Sequence, residues 1–547
     1  MGMRELVAAS VTAGLLAMGL LAAPAGATPA ARAAKVNRGA APCTKVPNVQ
    51  GKRPGRLLKA KKLKVPAKLL AGADVYRILY TSAGLDENSV EAVCGLVAIP
   101  SKKRQRTNEV VAWAHGTIGM HQSCQPSNDP NTTFLGPMSG GIGAIAYGTG
   151  KNAVDGKAKY GALQTLINQG RMVAATDYYA GLGQPANAQQ HYALGVPAGA
   201  AVLDSARAAT QLAKRLGSAY KTWKLATWGH SQGGHAALWA AQIAKDYLSA
   251  TKSARDPSFA PVGVAAVAPA TSFVATATTP PDLIGRHLGD LEMHMPASTA
   301  GGQGVGAVGP LLFSLVTSAW AQYPASGTLS NTARFPGYPT SVPAPRLDQV
   351  LTAEGMQTAT AITAGCLTAE SLARVIKYGN PAQNAFFVQP VWGGPTGPGG
   401  TWQGQLDATC LNPASDPALT SWCTWLAYNQ PGPDGINPFT KLPSGDVLIA
   451  QGMADNTVYC QHAGRSVPLG ADCLSRQYYD SLAAMCSTAS VTLDLFAETR
   501  KSPATHFGAP GQIADNGKGR FKGSALYKFF NGAFSNGLGT GCTATVR

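Results

Sequence analysis

The chain has 547 residues, 45% hydrophobic and 13% charged, with ten cysteines, nine histidines and a formal net charge of +17. Its length suits one large domain with insertions or two domains, and its apolar content can fill a substantial core. After the N-terminal segment no stretch holds about 20 uninterrupted apolar residues, which excludes a transmembrane segment, and no HExxH or other ligand spacing groups the histidines, which argues against a metal.

In chain order, Arg4, an apolar run over residues 6–21 and Ala25-Gly26-Ala27 have the form of a signal peptide ending at 27, with the mature chain starting near Thr28. Residues 28–72 form a basic lead-in, concentrated in KRPGRLLKAKKLKVPAK at 52–68. Such a stretch can meet an anionic envelope surface or nucleic acid, but no aromatic residues interleave as stacking platforms, so the reading is a solvated lead-in and no nucleic-acid partner. The cysteines are scattered singly with no CxxC pair, which in an exported chain reads as disulfides and not as a zinc site. Their pairing cannot be read from the spacing.

From residue 73 the pattern becomes regular. Residues 74–82 (DVYRILYTS) and 91–100 (EAVCGLVAIP) predict an antiparallel strand pair, and 109–114 (EVVAWA) a third strand that runs into His115-Gly116-Thr117. A helix over 163–170, a strand over 172–176, a helix over 198–216 and strands over 224–228 and 262–268 follow. Two more strands are predicted at 446–451 (DVLIAQ) and 491–497 (VTLDLFA). Strands alternating with helices predict an α/β fold whose mostly parallel sheet is covered on both faces. Between 271 and 443 the alternation stops: helical pieces near 281–295, 310–322 and 347–377 are separated by Gly/Pro-rich spacers, among several tryptophans. An insertion between two sheet strands predicts a cap over the carboxyl ends of the strands, where open α/β sheets bind ligands. The organisation is therefore a core over 73–270 and 444–547 interrupted by a cap over 271–443.

Residues 229–234 read GHSQGG. A strand before them and a helix after them (233–245) set Ser231 on a sharp turn, the context in which G-x-S-x-G exposes a nucleophile. A serine nucleophile needs an imidazole to take its proton and a carboxylate to orient that imidazole. The expected chain order, Ser, acid, His, selects Asp455 in GMADNTV after one late strand and His506 in PATHFGAP after the last. Asp446, Asp472, Asp494 and His462 are rivals placed before a strand, within one or farther along. His230 and His235, flanking the serine, read as packing or substrate-facing groups. For the oxyanion, the N–H of Gln232 is one expected donor, and Thr117 or Gly116, on the loop after 109–114, is the other.

These motifs, with ATDYYAGLG and VVAWAHGTIGMHQSCQPS, give a chain that resembles the secretory lipases of the α/β-hydrolase superfamily, the Candida antarctica lipase A-like group, in its actinobacterial type. The resemblance runs from about residue 74 to 506. It implies triad roles for Ser231, Asp455 and His506, no cofactor, an acyl tunnel shaped by the cap, and fatty-acid esters as substrates. The sequence differs from the fungal pattern in offering HGT where that loop carries an acidic side chain, and in a long interval with three cysteines between Asp455 and His506. The expectation is a secreted serine ester hydrolase, lipase or esterase, acting on a lipid or ester substrate with transient contact at a lipid interface left open, as is the oligomeric state. An acyltransferase with the same triad, a small-ester esterase and an inactive binding protein on this fold are the alternatives.

Overall fold

Runs of Val, Ile and Ala that are buried on both sides can only be central strands, and that is where the computed structural model puts them. It describes residues 43, 46–65, 70–85, 89–101, 107–128, 161–182, 190–254, 256–275, 279, 287, 308–322, 345–367, 371, 374–375, 385–388, 406–412, 419–432, 441–455, 457–461, 473–497, 504–506, 508–516, 521–535 and 537–547. The expected signal peptide lies outside these, as do His462, Asp472 and most of the helical piece expected at 281–295.

The strands are β1 (Leu57–Lys62), β2 (Ala73–Ala83), β3 (Val90–Pro100), β4 (Glu109–Ala114), β5 (Met172–Thr176), β6 (Thr222–His230), β7 (Ser258–Val267), β8 (Asp446–Gly452), β9 (Ala454–Asp455), β10 (Cys460–Gln461), β11 (Ser490–Phe496) and β12 (Gly541–Val546). Ten of them form one sheet in the order β1-β2-β3-β5-β4-β6-β7-β8-β11-β12, and β9 pairs with β10. From β5 to β12 the neighbours are parallel. The expected antiparallel pair is β2 with β3. Two strands of this sheet were not expected: part of the basic lead-in is the edge strand β1, antiparallel to β2, and β12 closes the other edge beside β11. Exposed lysines on β1 suit an edge that must not recruit another strand.

Side chains alternate across the sheet with the two-residue period of a strand. On β4, Val110, Ala112 and Ala114 join one core cluster while Val111 and Trp113 join the other. Helices α1 (Ala162–Asn168), α2 (Gly195–Arg215) and α3 (Gln232–Ala250) cover the two faces, α2 and α3 on the first and α1 on the second.

Between β7 and β8 lie α4 (Val308–Trp320), α5 (Ala353–Thr363), α6 (Leu406–Leu411) and α7 (Thr420–Asn429). Their tryptophans pack together: Trp320 stacks on Trp422 at 6.0 Å and lies 5.8 Å from Trp425, with Phe273 at 6.3 Å. The end of α7 is fixed to the core, since Asn429 Oδ1 accepts the Gly195 N–H at 2.9 Å and its carbonyl accepts from His235 Nε2 at 2.7 Å and Trp239 Nε1 at 2.9 Å. After β10 come α8 (Leu474–Ser481), α9 (Ala509–Ile513) and α10 (Ala525–Ser535). All ten cysteines are paired, as Cys43–Cys94, Cys124–Cys366, Cys410–Cys423, Cys460–Cys473 and Cys486–Cys542. Among the described residues no helix is long and apolar enough to cross a membrane.

Candidate active site

β6 ends at His230 and α3 begins at Gln232, so the chain must reverse at one residue. That residue is Ser231, with φ 57° and ψ −123°, a left-handed conformation that costs a non-glycine residue about 1–3 kcal/mol. The neighbouring glycines are demanded by close approach. A Cβ on Gly229 would come within 2.1 Å of the Gly233 carbonyl oxygen, and one on Gly233 within 2.0 Å of the Ala114 oxygen. Small residues there let α3 start directly against the ends of β4 and β6, which leaves Ser231 half-buried at the carboxyl ends of the parallel strands.

Asp455 and His506 meet at the same end of the sheet. Asp455 follows β8 and is fully buried; Oδ1 accepts the N–H groups of Thr457 at 2.8 Å and Val458 at 2.9 Å, and Oδ2 accepts from Gln451 Nε2 at 2.5 Å. His506, on the loop after β11, directs Nδ1 to Asp455 Oδ2 at 2.8 Å. This loop packs tightly on β8, for a Cβ on Gly452 would lie 2.1 Å from the Ala504 oxygen. His230, the residue before the serine, donates from Nε2 to the His506 carbonyl at 2.9 Å, with ring centroids 4.9 Å apart. The carboxylate, the imidazole and the serine turn are thus consecutive neighbours.

Among the rivals, Asp446 sits at the opposite end of β8 and accepts the Ser490 and Leu538 N–H groups at 3.0 and 2.9 Å, while Asp494 lies in β11 and accepts from Thr545 at 2.5 Å. His230 and His235 are buried, and burial pushes their imidazoles down to about 3 and about 4. Both are therefore neutral groups held by backbone carbonyls, His235 by that of Asn429.

The loop after β4 brings His115-Gly116-Thr117 to the serine. A Cβ on Gly116 would stand 3.3 Å from the His230 oxygen and 3.7 Å from Ser231 Cβ. Neither the Gly116 nor the Thr117 N–H donates to another described residue. The Thr117 hydroxyl pairs with Tyr192 Oη at 2.7 Å. Gln232 is buried, and its side-chain carboxamide finds no partner among the described residues. Farther along the loop, Ser127 donates its N–H to Asp177 Oδ1 at 3.0 Å and its hydroxyl to Oδ2, and Arg77 Nε reaches Ser127 Oγ at 2.9 Å. Burial raises the Asp177 carboxyl to about 6. Gln451, Tyr178, Tyr192 and the Arg77–Ser127–Asp177 cluster were missed in the sequence. For Asp177 and Tyr178 the signal was ATDYYAGLG at the end of a strand, where an α/β fold places its site.

Residues 151–279, a span that includes Ser231, match the family model described as Secretory lipase. Over that span the chain is similar to the secretory lipases. That match supports an ester hydrolase of the serine type. The structure resembles Candida antarctica lipase A, with a TM-score of 0.55 and 14% identity over 93% of this chain and 90% of that one. The closed state of the same lipase gives 0.52 and 16% over 89% and 84%. A rice cell wall degrading esterase, LipA from Xanthomonas oryzae, gives 0.50 and 16% over 87% and 98%. At these identities the likeness shows the fold, which is that of the α/β-hydrolases, with the helical insertion between β7 and β8. No curated protein sequence matches the chain.

Proposed function

We propose that this protein is an exported lipase that cleaves fatty-acyl esters through Ser231, His506 and Asp455, by way of an acyl-enzyme. The observation that carries the reading is the Asp455–His506 pair at 2.8 Å, joined by His230 to a serine held at positive φ. In the first half-reaction neutral His506 takes the proton of Ser231 Oγ through Nε2 as the oxygen attacks the ester carbonyl. Asp455 holds the proton of Nδ1 in place and stabilises the imidazolium. The negative charge on the former carbonyl oxygen is met by the Gln232 N–H and by the Gly116 or Thr117 N–H, donors worth about 10²–10³ in rate each. The tetrahedral species collapses, the alcohol leaves with the proton from His506, and a water molecule repeats the sequence to release the acid and free serine. Five disulfides support export.

The apolar character of the cap supports an acyl chain as the group recognised. Each buried methylene contributes about 0.8 kcal/mol at most, so turnover at low substrate should rise with chain length until the cap is filled. The test is a panel of p-nitrophenyl esters with a triacylglycerol emulsion, run on wild type and Ser231→Ala, with phosphonate labelling mapped by peptide. Label on Ser231, inactive Ser231→Ala and faster medium or long chains are expected. Label elsewhere overturns the triad, and a profile with acetate best overturns the fatty-acyl reading in favour of a small-ester esterase or acetyl transfer.

A further inference from the structure

We propose that His115 and Tyr178 are positioning residues that aim the second oxyanion donor, by gripping in series the two peptide groups that carry the Gly116 and Thr117 N–H groups. The proposal rests on the reading of Ser231 as nucleophile and says what prepares the site for the charge that develops.

The Tyr178 hydroxyl donates to the His115 carbonyl at 3.0 Å. His115 Nδ1 in turn donates to the Gly116 carbonyl at 2.7 Å. In a trans peptide the carbonyl and the N–H that follows it point to opposite sides of one rigid plane. Holding the His115 carbonyl therefore fixes the Gly116 N–H, and holding the Gly116 carbonyl fixes the Thr117 N–H. These are the N–H groups that donate to no other described residue, on a loop whose Gly116 packs against Ser231.

The two side chains form a unit of their own. Their rings lie 4.6 Å apart and both residues are buried. Among the described residues Tyr178 is one of four non-glycine residues at positive φ, at 54°, and its N–H is held by Thr176 Oγ1 at 2.9 Å. A strained backbone retained beside a reactive centre is a mark of a constrained site. The chemistry of each group also fits the task. Burial pushes the Tyr178 hydroxyl well above its usual range, so it remains a donor, and lowers the His115 imidazole to about 4, so the ring is neutral. A neutral ring with its proton on Nδ1 is the form that can donate to the Gly116 carbonyl. An oxyanion hole accelerates a reaction because its donors need no reorientation when charge appears, so a freed peptide plane should cost turnover and leave ground-state binding alone.

The test compares Tyr178→Phe, His115→Asn and His115→Leu in the full secreted chain, with p-nitrophenyl butyrate kinetics, affinity for a trifluoromethyl ketone whose oxyanion enters the hole, and melting temperature. Tyr178→Phe removes one O–H from an otherwise unchanged ring. Expected is a fall of about ten-fold or more in kcat, part of what a lost donor costs, with KM and melting temperature close to wild type and ketone affinity falling in step with kcat. His115→Asn sets an amide N–H near the place of Nδ1 and should keep most of kcat, whereas His115→Leu should not. Wild-type kcat in Tyr178→Phe, unchanged ketone affinity, or equal losses in the Asn and Leu variants overturn the positioning role. Should Tyr178→Phe not fold, the His115 pair decides. Ser231→Ala run beside them separates the two levels: an active Ser231→Ala sinks the triad itself, while an inactive one with an unimpaired Tyr178→Phe sinks this inference alone.

Discussion

His230 and His506 stand ring to ring at 4.9 Å, joined by a hydrogen bond from one imidazole to the other's backbone carbonyl at 2.9 Å. Two imidazoles so close cannot both carry charge at little cost. Burial, and after it the charge of His506, hold His230 down to about 3. Burial therefore keeps the His230 ring neutral in the working range.

On the proposed mechanism a one-proton acid limb in kcat/KM is expected, because the base must be neutral to accept the serine proton while burial disfavours the charged form of His230, with a value of about 3. A profile measured from pH 4 to 9 should fall with a limiting slope of one, and His230→Gln should preserve that slope. A slope of two would show that both rings protonate.

The carboxylate makes a second, graded prediction. Asp455→Asn should fold yet lose about 10⁴ in kcat, because the amide favours the wrong tautomer of His506. Gln451→Leu removes one donor at 2.5 Å but leaves the Thr457 and Val458 N–H groups and His506 in place. Its loss should be nearer ten-fold, the worth of about one hydrogen bond to a charged group. Steady-state kinetics on both variants checks the order, which equal losses would reverse.

Stability should fall as pH is lowered from about 6.5 towards 4. His115, His230 and His235 each have a folded value depressed from 6.5 to about 4, about 3 and about 4 by burial. In that window the unfolded chain binds the extra protons, so their contribution is present above 6.5 and is lost as pH falls. Asp177 acts oppositely: its carboxyl, raised from 3.8 to about 6, favours the folded state at low pH and loses that contribution as pH rises through about 6. Burial raises the Asp204 carboxyl in the same sense, and three imidazoles outweigh these two carboxyls. Melting temperatures across pH 4–8 should show the decline, and His235→Gln, which keeps an N–H for the Asn429 carbonyl, should flatten it. A melting temperature that rises towards pH 4 would contradict the assignment.

The placement of Ser231, Asp455 and His506 at one end of the sheet was legible because it depends on strand order and on the loops that follow strands, both of which leave marks along the chain. Gly229 and Gly233 were legible for the same reason, since close backbone approach admits no other residue. Tyr178 and Gln451 were not. Each acts through a bond to a residue distant in sequence or to a backbone group, and nothing in a local pattern distinguishes such a tyrosine or glutamine from a packing residue. The edge strands β1 and β12 were hidden by composition, because lysines on one and glycine and threonine on the other carry no two-residue alternation of apolar side chains. The pairing of the cysteines needed the fold itself.

The last prediction concerns Cys124–Cys366, which ties the loop carrying Gly116 and Thr117, the proposed oxyanion donors, to the insertion between β7 and β8, the proposed cap. Gly119 bridges to Cys366, and the Leu367 N–H donates to the Ile118 carbonyl at 3.0 Å, so the disulfide closes a contact that the backbone also makes. On its core side the same loop is anchored by Ser127 on Asp177, independently of the cap. Breaking the bond should therefore release the cap segment after α5 before it disturbs the serine turn. Cys124→Ser/Cys366→Ser should lose about 2–5 kcal/mol of stability, the usual worth of a native disulfide. Phosphonate labelling of Ser231 should continue at near the wild-type rate, since the turn is held by β4, β6 and α3. Hydrolysis of long-chain esters should fall more than that of acetate, because long chains alone draw on the cap. Cys410→Ser/Cys423→Ser, whose bond closes only 13 residues within the cap, is the comparison and should lose less selectivity. If labelling and long-chain turnover fall together in the first variant, the loop depends on the bond for its own shape, and the cap is not the element it steadies.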